Sequence, residues 1–474
     1  MTTATVVGSG PNGLAAAVTL AAGGADVTVL EASASIGGGT RSGEVTLPGL
    51  LHDECSGFHP LAVDNAFSRR FPLEAHGLSW AWPDVQYAHP LEHGAGAAVW
   101  RSVERTADEL GDDGPSYRRL FGRLDERFAE IADEFLRPML HVPRYPLAMA
   151  RFGAYAVMPA TWLARRWRRE ETRALYAGVA AHAFRPLGSA MSSAIGVALG
   201  TAAHRYGWPV AVGGSAAITT AMAKLLASYG GRIETGVTVR SVRELADANV
   251  VMLDTSPAGA ARILDGRLPR RVDRAYRRYG HGPAAYQVAF AVEGGIPWSH
   301  EPSRRAGTVH VGGTIEQIAA AERDVWRGRM PRRPFVLVGQ QSLADPGRAH
   351  ADTHPVDVYA HVPAAWKGDA TRTIVDQIER YAPGFTARIR DTRVRAVADI
   401  ERTNANFVGG DIVTGANTPR QLVFRPRAAI DPYATGVPGV YLCSAATPPG
   451  AGAHGMCGWH AARSALRFLG CETG

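Results

Sequence analysis

Cysteine is scarce. Cys55, Cys443, Cys457 and Cys471 are the only four, and none forms a C-x-x-C pair or a zinc-like spacing with histidine. This argues against a disulfide framework, a redox-active dithiol and a metal site; no metal is expected. A chain of 474 residues can bury a large core without such staples. Long apolar runs are missing too: no stretch reaches the roughly 18 residues that span a bilayer. No charged leader precedes the strand-like run that begins at Ala4. A reducing, cytoplasmic setting is expected. Lysine is nearly absent, so the net charge of +7 is carried by arginine. Such a surplus suits acidic partners or an anionic membrane surface, or reflects a coding bias toward Arg and Ala. There are no internal repeats or low-complexity tracts, and no nucleic-acid partner is expected.

Glycine, by contrast, is placed with purpose. Ala4–Val7 reads as a buried strand, Gly8-Ser9-Gly10-Pro11-Asn12-Gly13 as a G-x-G-x-x-G loop, and Leu14 to Ala22 as a helix. Asp26–Glu31 then reads as a second strand, which is the context a dinucleotide loop needs. Gly8 permits the turn, Gly10 lets the backbone approach a pyrophosphate, and Gly13 lets helix and strand pack closely. The helix N-terminus offers free N–H groups and partial positive charge to phosphate. Glu31 is placed to accept from ribose hydroxyls, which disfavours a 2′-phosphate and hence NADP. A second cluster, Gly37-Gly38-Gly39-Thr40-Arg41, lets the chain pass a longer ligand, with Arg41 able to neutralise pyrophosphate charge. That cluster favours FAD over NAD.

At the other end, Gly439–Cys443 reads as a buried strand, Ser444 to Gly452 as a Pro/Gly loop, and Gly455 onward as a helix. A literal G-x-G-x-x-G recurs at Gly450, Gly452 and Gly455. It is not a second dinucleotide fold, because prolines separate it from the strand and no further strand follows. It does place a helix N-terminus where the anionic reduced ring of a flavin would be stabilised.

Between the ends, Arg232–Val242 looks like a β-hairpin, Ala248–Leu253 a buried strand, and Ala216 to Tyr229 a helix capped by Ser215. The expected organisation is α/β: a Rossmann-like FAD-binding domain from 1–70, 206–257 and 411–474. An interleaved α+β substrate domain, a mixed sheet plus helical cap, takes 71–205 and 258–410. The first of its segments reads as mostly helical; the second holds strands at Ala285–Val292, Thr308–Val311, Pro334–Gln340 and Asp357–His361, then a helix near Thr371–Tyr381. Residues 152–169 join apolar positions such as Phe152, Val157 and Trp162 to Arg165, Arg166, Arg168 and Arg169. They read either as a basic face that touches the inner surface of a membrane or admits a lipophilic substrate, or as a cap helix with a solvated basic end.

Taken together, the motifs resemble the phytoene desaturase-like flavoprotein superfamily. Within it, the pyridine nucleotide-disulfide oxidoreductase domain-containing protein 2 family is nearest. The carrying stretches are His52-Asp53-Glu54-Cys55-Ser56-Gly57-Phe58-His59-Pro60, Phe407-Val408-Gly409-Gly410-Asp411-Ile412, Arg420–Pro426 and Tyr441–Gly450, continuing through His454-Gly455-Met456-Cys457-Gly458. The resemblance implies FAD held by Gly8, Ser9, Gly10, Pro11, Asn12, Gly13, Glu31, Ala32, Gly38, Gly39, Thr40 and Arg41. It implies Val239 near the adenine, and Ala445, His454, Gly455 and Met456 bordering the flavin. Ser444-Ala445 departs from the Gly-Ala or Gly-Asp of carotenoid desaturases, which points away from a carotene substrate.

The leading expectation is therefore an FAD-dependent dehydrogenase or desaturase that moves hydride from a lipophilic molecule to flavin N5, with oxygen, quinone or a protein as acceptor. His59 and His454, each beside a cofactor motif, are the candidate acid/base groups. Amine oxidation is the second expectation, with Trp459 and Tyr441 as an aromatic cage. A flavin-stabilised scaffold without turnover is the third.

Overall fold

Short β-branched segments flanked by glycine start the chain as strands, and their burial decides how they pair. The computed structural model describes residues 2–470. Five parallel strands form one sheet, in the order Val440–Leu442, Val250–Leu253, Thr3–Val7, Asp26–Glu31 and Arg232–Thr235. Both faces are covered, as parallel sheets require. Val6, Val27, Val29, Val250 and Met252 pack beneath the Pro11–Ala22, Ala216–Ser228 and Met456–Phe468 helices. Val7, Val251, Leu253 and Leu442 face the opposite way, onto the Pro257–Ile263 and Arg270–Arg277 helices. Residues 257–277 thus cover the first sheet, and the chain reaches the second only at Ala284.

The second sheet has seven strands, in the order Ile389–Arg395, Ala284–Glu293, Thr353–Val362, Val336–Gly339, Ala306–Val311, Val85–Pro90 and Gly96–Val99. It is mixed: Ala306–Val311 pairs parallel to Val85–Pro90, and the other pairs are antiparallel. Val288, Phe290, Val338, Val358 and Ala360 pack on the Thr371–Glu379 helix through one face. The other face carries a row from Arg395 through Gln287, Tyr359 and Leu337 to His310. That row looks toward the first sheet and the helices of residues 103–205. The expected α/β fold, Rossmann-like with a mixed sheet and helical cap, is the fold observed.

Three local expectations change. Arg232–Val242 is not a hairpin: Arg232–Thr235 pairs in parallel with Asp26–Glu31, and Gly236 at φ +74° turns the chain away from the sheet. Ser215 does not cap its helix. Its hydroxyl donates to the Ser56 carbonyl at 2.5 Å and meets His59 Nε2 at 2.9 Å. Within the segment expected to be mostly helical, Val85–Pro90 is a strand; all six residues are buried, so it shows no alternation.

Candidate functional site

The glycine loop is built by close approach. Gly8 has φ +103°, and a Cβ on Gly13 would stand 2.2 Å from the Gly8 carbonyl oxygen. Glu31, at the end of the adjoining strand, is used on both oxygens. Oε2 accepts from the Ser9 amide at 2.9 Å and its hydroxyl at 2.6 Å, and Oε1 accepts from the Ser33 amide at 2.8 Å. Burial opposes the charge, but these bonds and Arg41 outweigh it and hold the carboxyl below its usual range. Arg41 lies 3.5 Å from Glu31 and donates to the carbonyls of Ser35 and Thr403. Its charge is therefore shared with Glu31.

Over this loop runs a continuous cavity of about 1100 Å³. It exceeds the ~300–1,000 Å³ of an ordinary ligand pocket, as an extended cofactor plus substrate would need. Of the residues expected at the cofactor, Gly8, Ser9, Gly10, Pro11, Asn12, Glu31, Ala32, Gly38, Gly39, Thr40, Arg41, Val239, Ala445 and His454 line it. Gly13, Gly455 and Met456 do not: Gly13 packs on Gly8, Gly455 is the left-handed residue before the last helix, and Met456 lies in the core. Both chain ends reach one cavity because the first and last helices touch. A Cβ on Gly458 would fall 1.8 Å from the Asn12 carbonyl oxygen.

The two candidate bases fare differently from expectation. His59 is 2% exposed and does not line the cavity; its ring is held by Ser215 and, at 3.5 Å, Ser56. His454 does line it, but its Nδ1 accepts the Met456 N–H at 3.1 Å, capping the last helix. Burial pushes both imidazoles down to about 4. Burial thus favours the neutral form of both rings, and each also fixes a loop through its hydrogen bonds. Trp459 and Tyr441 form no cage either: neither lines this cavity, and Trp459 packs edge-on against Phe67 and Phe71.

Several lining groups carry no local sequence signal. His182 meets His310 Nε2 to Nε2 at 2.8 Å, and Thr308 Oγ1 and Gln287 Oε1 are buried without partners. Asp254 follows the Val250–Leu253 strand and sits under the glycine loop. Its Oδ2 accepts the Gly13 amide at 3.1 Å, and a Cβ on Gly10 would lie 2.8 Å from the same oxygen. Burial raises this carboxyl to about 6, against the Gly13 and Gly10 amides that favour its charge. An acid raised in the folded state costs stability as pH climbs from its unfolded value through the folded one. Asp254→Asn keeps an acceptor for Gly13 and removes that cost. The variant is expected to be more stable than the parent above pH 6, by on the order of 1–3 kcal/mol in denaturant unfolding, with the gap closing toward pH 4. A gap that does not vary with pH would show that the carboxylate is not the cause.

A glycine loop at the carboxyl ends of a parallel sheet, roofed by a second mixed sheet, defines a Rossmann-like nucleotide-binding fold with an attached second chamber. Residues 6–68 match the NAD(P)-binding Rossmann-like domain family. The expected family resemblance is also found. Pyridine nucleotide-disulfide oxidoreductase domain-containing protein 2 of Rattus norvegicus is 31% identical over 156 residues, covering 30% of this chain. The match spans 27% of that relative's own length. Two solved structures show the same fold over nearly the whole chain. An oxidoreductase from Methanosarcina mazei has TM-score 0.60 at 13% identity, covering 98% of this chain and all of that one. Wild-type putrescine oxidase bound to putrescine has TM-score 0.60 at 18% identity, covering 99% of each.

Proposed function

We propose that this protein is an FAD-dependent oxidoreductase that removes hydride from a C–H bond of a lipophilic small molecule. The observation that carries the reading is one cavity with two chemistries. Its nucleotide end presents Ser9–Asn12, Glu31, Gly38–Arg41 and Val239; its far end presents Phe135, Met149, Phe152, Leu199, Trp208 and Leu337. Asn12 Oδ1, buried at the loop without a partner, is an acceptor that a cofactor hydroxyl or N–H would satisfy. Ala445 and His454, on the loop before the last helix, would border the ring. Flavin supplies the hydride-accepting chemistry when bound, so the chain needs few acid/base groups. Its own residues bind the nucleotide, orient the substrate against the Gln287–Tyr359–Leu337 wall and exclude water.

The carboxylates lining the cavity argue against an amine. Asp53 bonds Arg348 at 2.5 Å, Asp357 bonds His52 at 2.7 Å and Gln341 at 2.8 Å, and Glu54 lies 3.6 Å from Arg395. Glu31 and Asp254 serve the glycine loop. None is left to pair with an ammonium group, and burying an unpaired cation is costly. Anaerobic titration of the yellow protein tests the reading. Polyenes or lipids with activated C–H bonds are expected to bleach the flavin, and primary amines to leave it oxidised. Bleaching by amines with peroxide release would move the protein to amine oxidation. Persistent colour with every class would favour binding without turnover.

A further inference from the structure

A second cavity, of about 630 Å³, lies between the last helix, the 133–145 segment and the loop at 430–433. Arg69, Arg137, Arg144, Arg463 and Arg467 line it. Its acids are already engaged. Asp133 pairs with Arg69. Glu134, 1% exposed, bonds His141 and accepts the Arg144 and Tyr145 amides at 2.6 and 2.9 Å. Asp431 accepts from the Tyr433 amide at 3.0 Å and from Ser464. Apart from Arg69, the guanidiniums are not matched. Among the described residues, Arg137, Arg144 and Arg463 have no carboxylate within ion-pair distance. Arg144 and Arg463 rest on the rings of Tyr145 and Trp459, at 5.4 and 5.3 Å.

This concentration of positive charge is costly. Arg463 and Arg467 stand one turn apart on the same helix, where like charges repel. Burial, then Arg467 and Arg137, push the Arg463 guanidinium below its usual value. Arg463 Nε and Trp459 Nε1 are both buried donors without acceptors, and Trp459 is only 6% exposed. Several unneutralised guanidiniums and an indole N–H around one hollow form a donor set that matches the oxygens of a phosphate.

The hollow also adjoins the substrate chamber. Arg137 lines both cavities. Leu140 and Ile430 leave apolar surface exposed at the rim of the second cavity. We propose that the second cavity binds a phosphate-bearing anion, the head of an amphiphile whose apolar part enters the chamber past Arg137. As a statement of substrate class this rests on the function proposed above; as a binding site it stands without it.

Calorimetric titration of the FAD-loaded protein with sodium pyrophosphate, and sedimentation with phosphatidylcholine vesicles with and without phosphatidylglycerol, test the site. Arg463→Gln and Arg144→Gln are each expected to weaken binding roughly tenfold, the worth of one charge-assisted contact. Arg271→Gln, at an exposed arginine outside both cavities, is expected to leave binding unchanged. Arg463→Gln should also raise the unfolding temperature without ligand, because it relieves repulsion. Pyrophosphate binding with this variant pattern identifies a soluble phosphate ligand. Binding only to phosphatidylglycerol vesicles, with the same pattern, identifies a lipid headgroup. Binding to neither probe, or equal binding by all variants, overturns the site. FAD content measured on the same samples separates this outcome from a failure of the flavin reading.

Discussion

Arg348→Met is expected to be among the most damaging single substitutions at any position outside the cavity. Arg348 is 0% exposed and is matched on every side. It donates to Asp53 at 2.5 Å, to Asp345 at 3.1 Å and to the Ala211 carbonyl at 2.7 Å. Asp53 in turn accepts from the Ser215 amide at 2.7 Å and Ser42 at 2.6 Å, and its own amide bonds Asp357 at 3.0 Å. The guanidinium therefore ties the segment after the second glycine cluster to the second sheet. Methionine fills similar volume but leaves two buried carboxylates facing each other, which costs about 3–5 kcal/mol when one partner of a buried pair is removed. The measurement is the urea midpoint of the FAD-loaded protein, with Asp53→Asn added to the variant as a second step. Partial recovery in the double variant is expected, because it removes one stranded charge. A midpoint within error of the parent's would mean that water reaches the network.

Gly458→Ala is expected to loosen cofactor retention as well as stability. On helix propensity alone the change should help, by about 1 kcal/mol. The added methyl, however, would lie 1.8 Å from the Asn12 carbonyl oxygen and 2.8 Å from the Ala16 amide, both backbone atoms that cannot rotate away. Relief requires the last helix to move off the first, and overpacking of this kind costs roughly 1–3 kcal/mol or more. Asn12 belongs to the glycine loop, so the displacement reaches the nucleotide end directly. Faster FAD loss on gel filtration, with a lowered unfolding temperature, is the expected pair of results. A stabilised variant with full colour would show that the helices are not in contact as described.

What could be read in the chain depended on how far apart the cooperating residues lie. The glycine loop, the strand ending at Glu31 and the C-terminal helix were legible because backbone sterics and periodicity act within a few residues. The strand Ile389–Arg395 was not: it is an exposed edge rich in arginine, and only its pairing with Ala284–Glu293 makes it a strand. His59 and His454 looked alike as loop histidines beside cofactor motifs. Their difference lies in partners such as Ser215, more than a hundred residues from His59, which no local pattern announces.

From the residues alone came the nucleotide loop and the α/β class, since each follows from where glycine, small residues and β-branched runs fall; the meeting of the two chain ends was implied by the family resemblance. Folding had to settle the rest. Asp254 under the loop, Arg348 between the sheets and the arginines of the second cavity matter through charge at close range. Coulombic and hydrogen-bond energies depend on distance in space and on exclusion of water, and neither is written in the order of the residues.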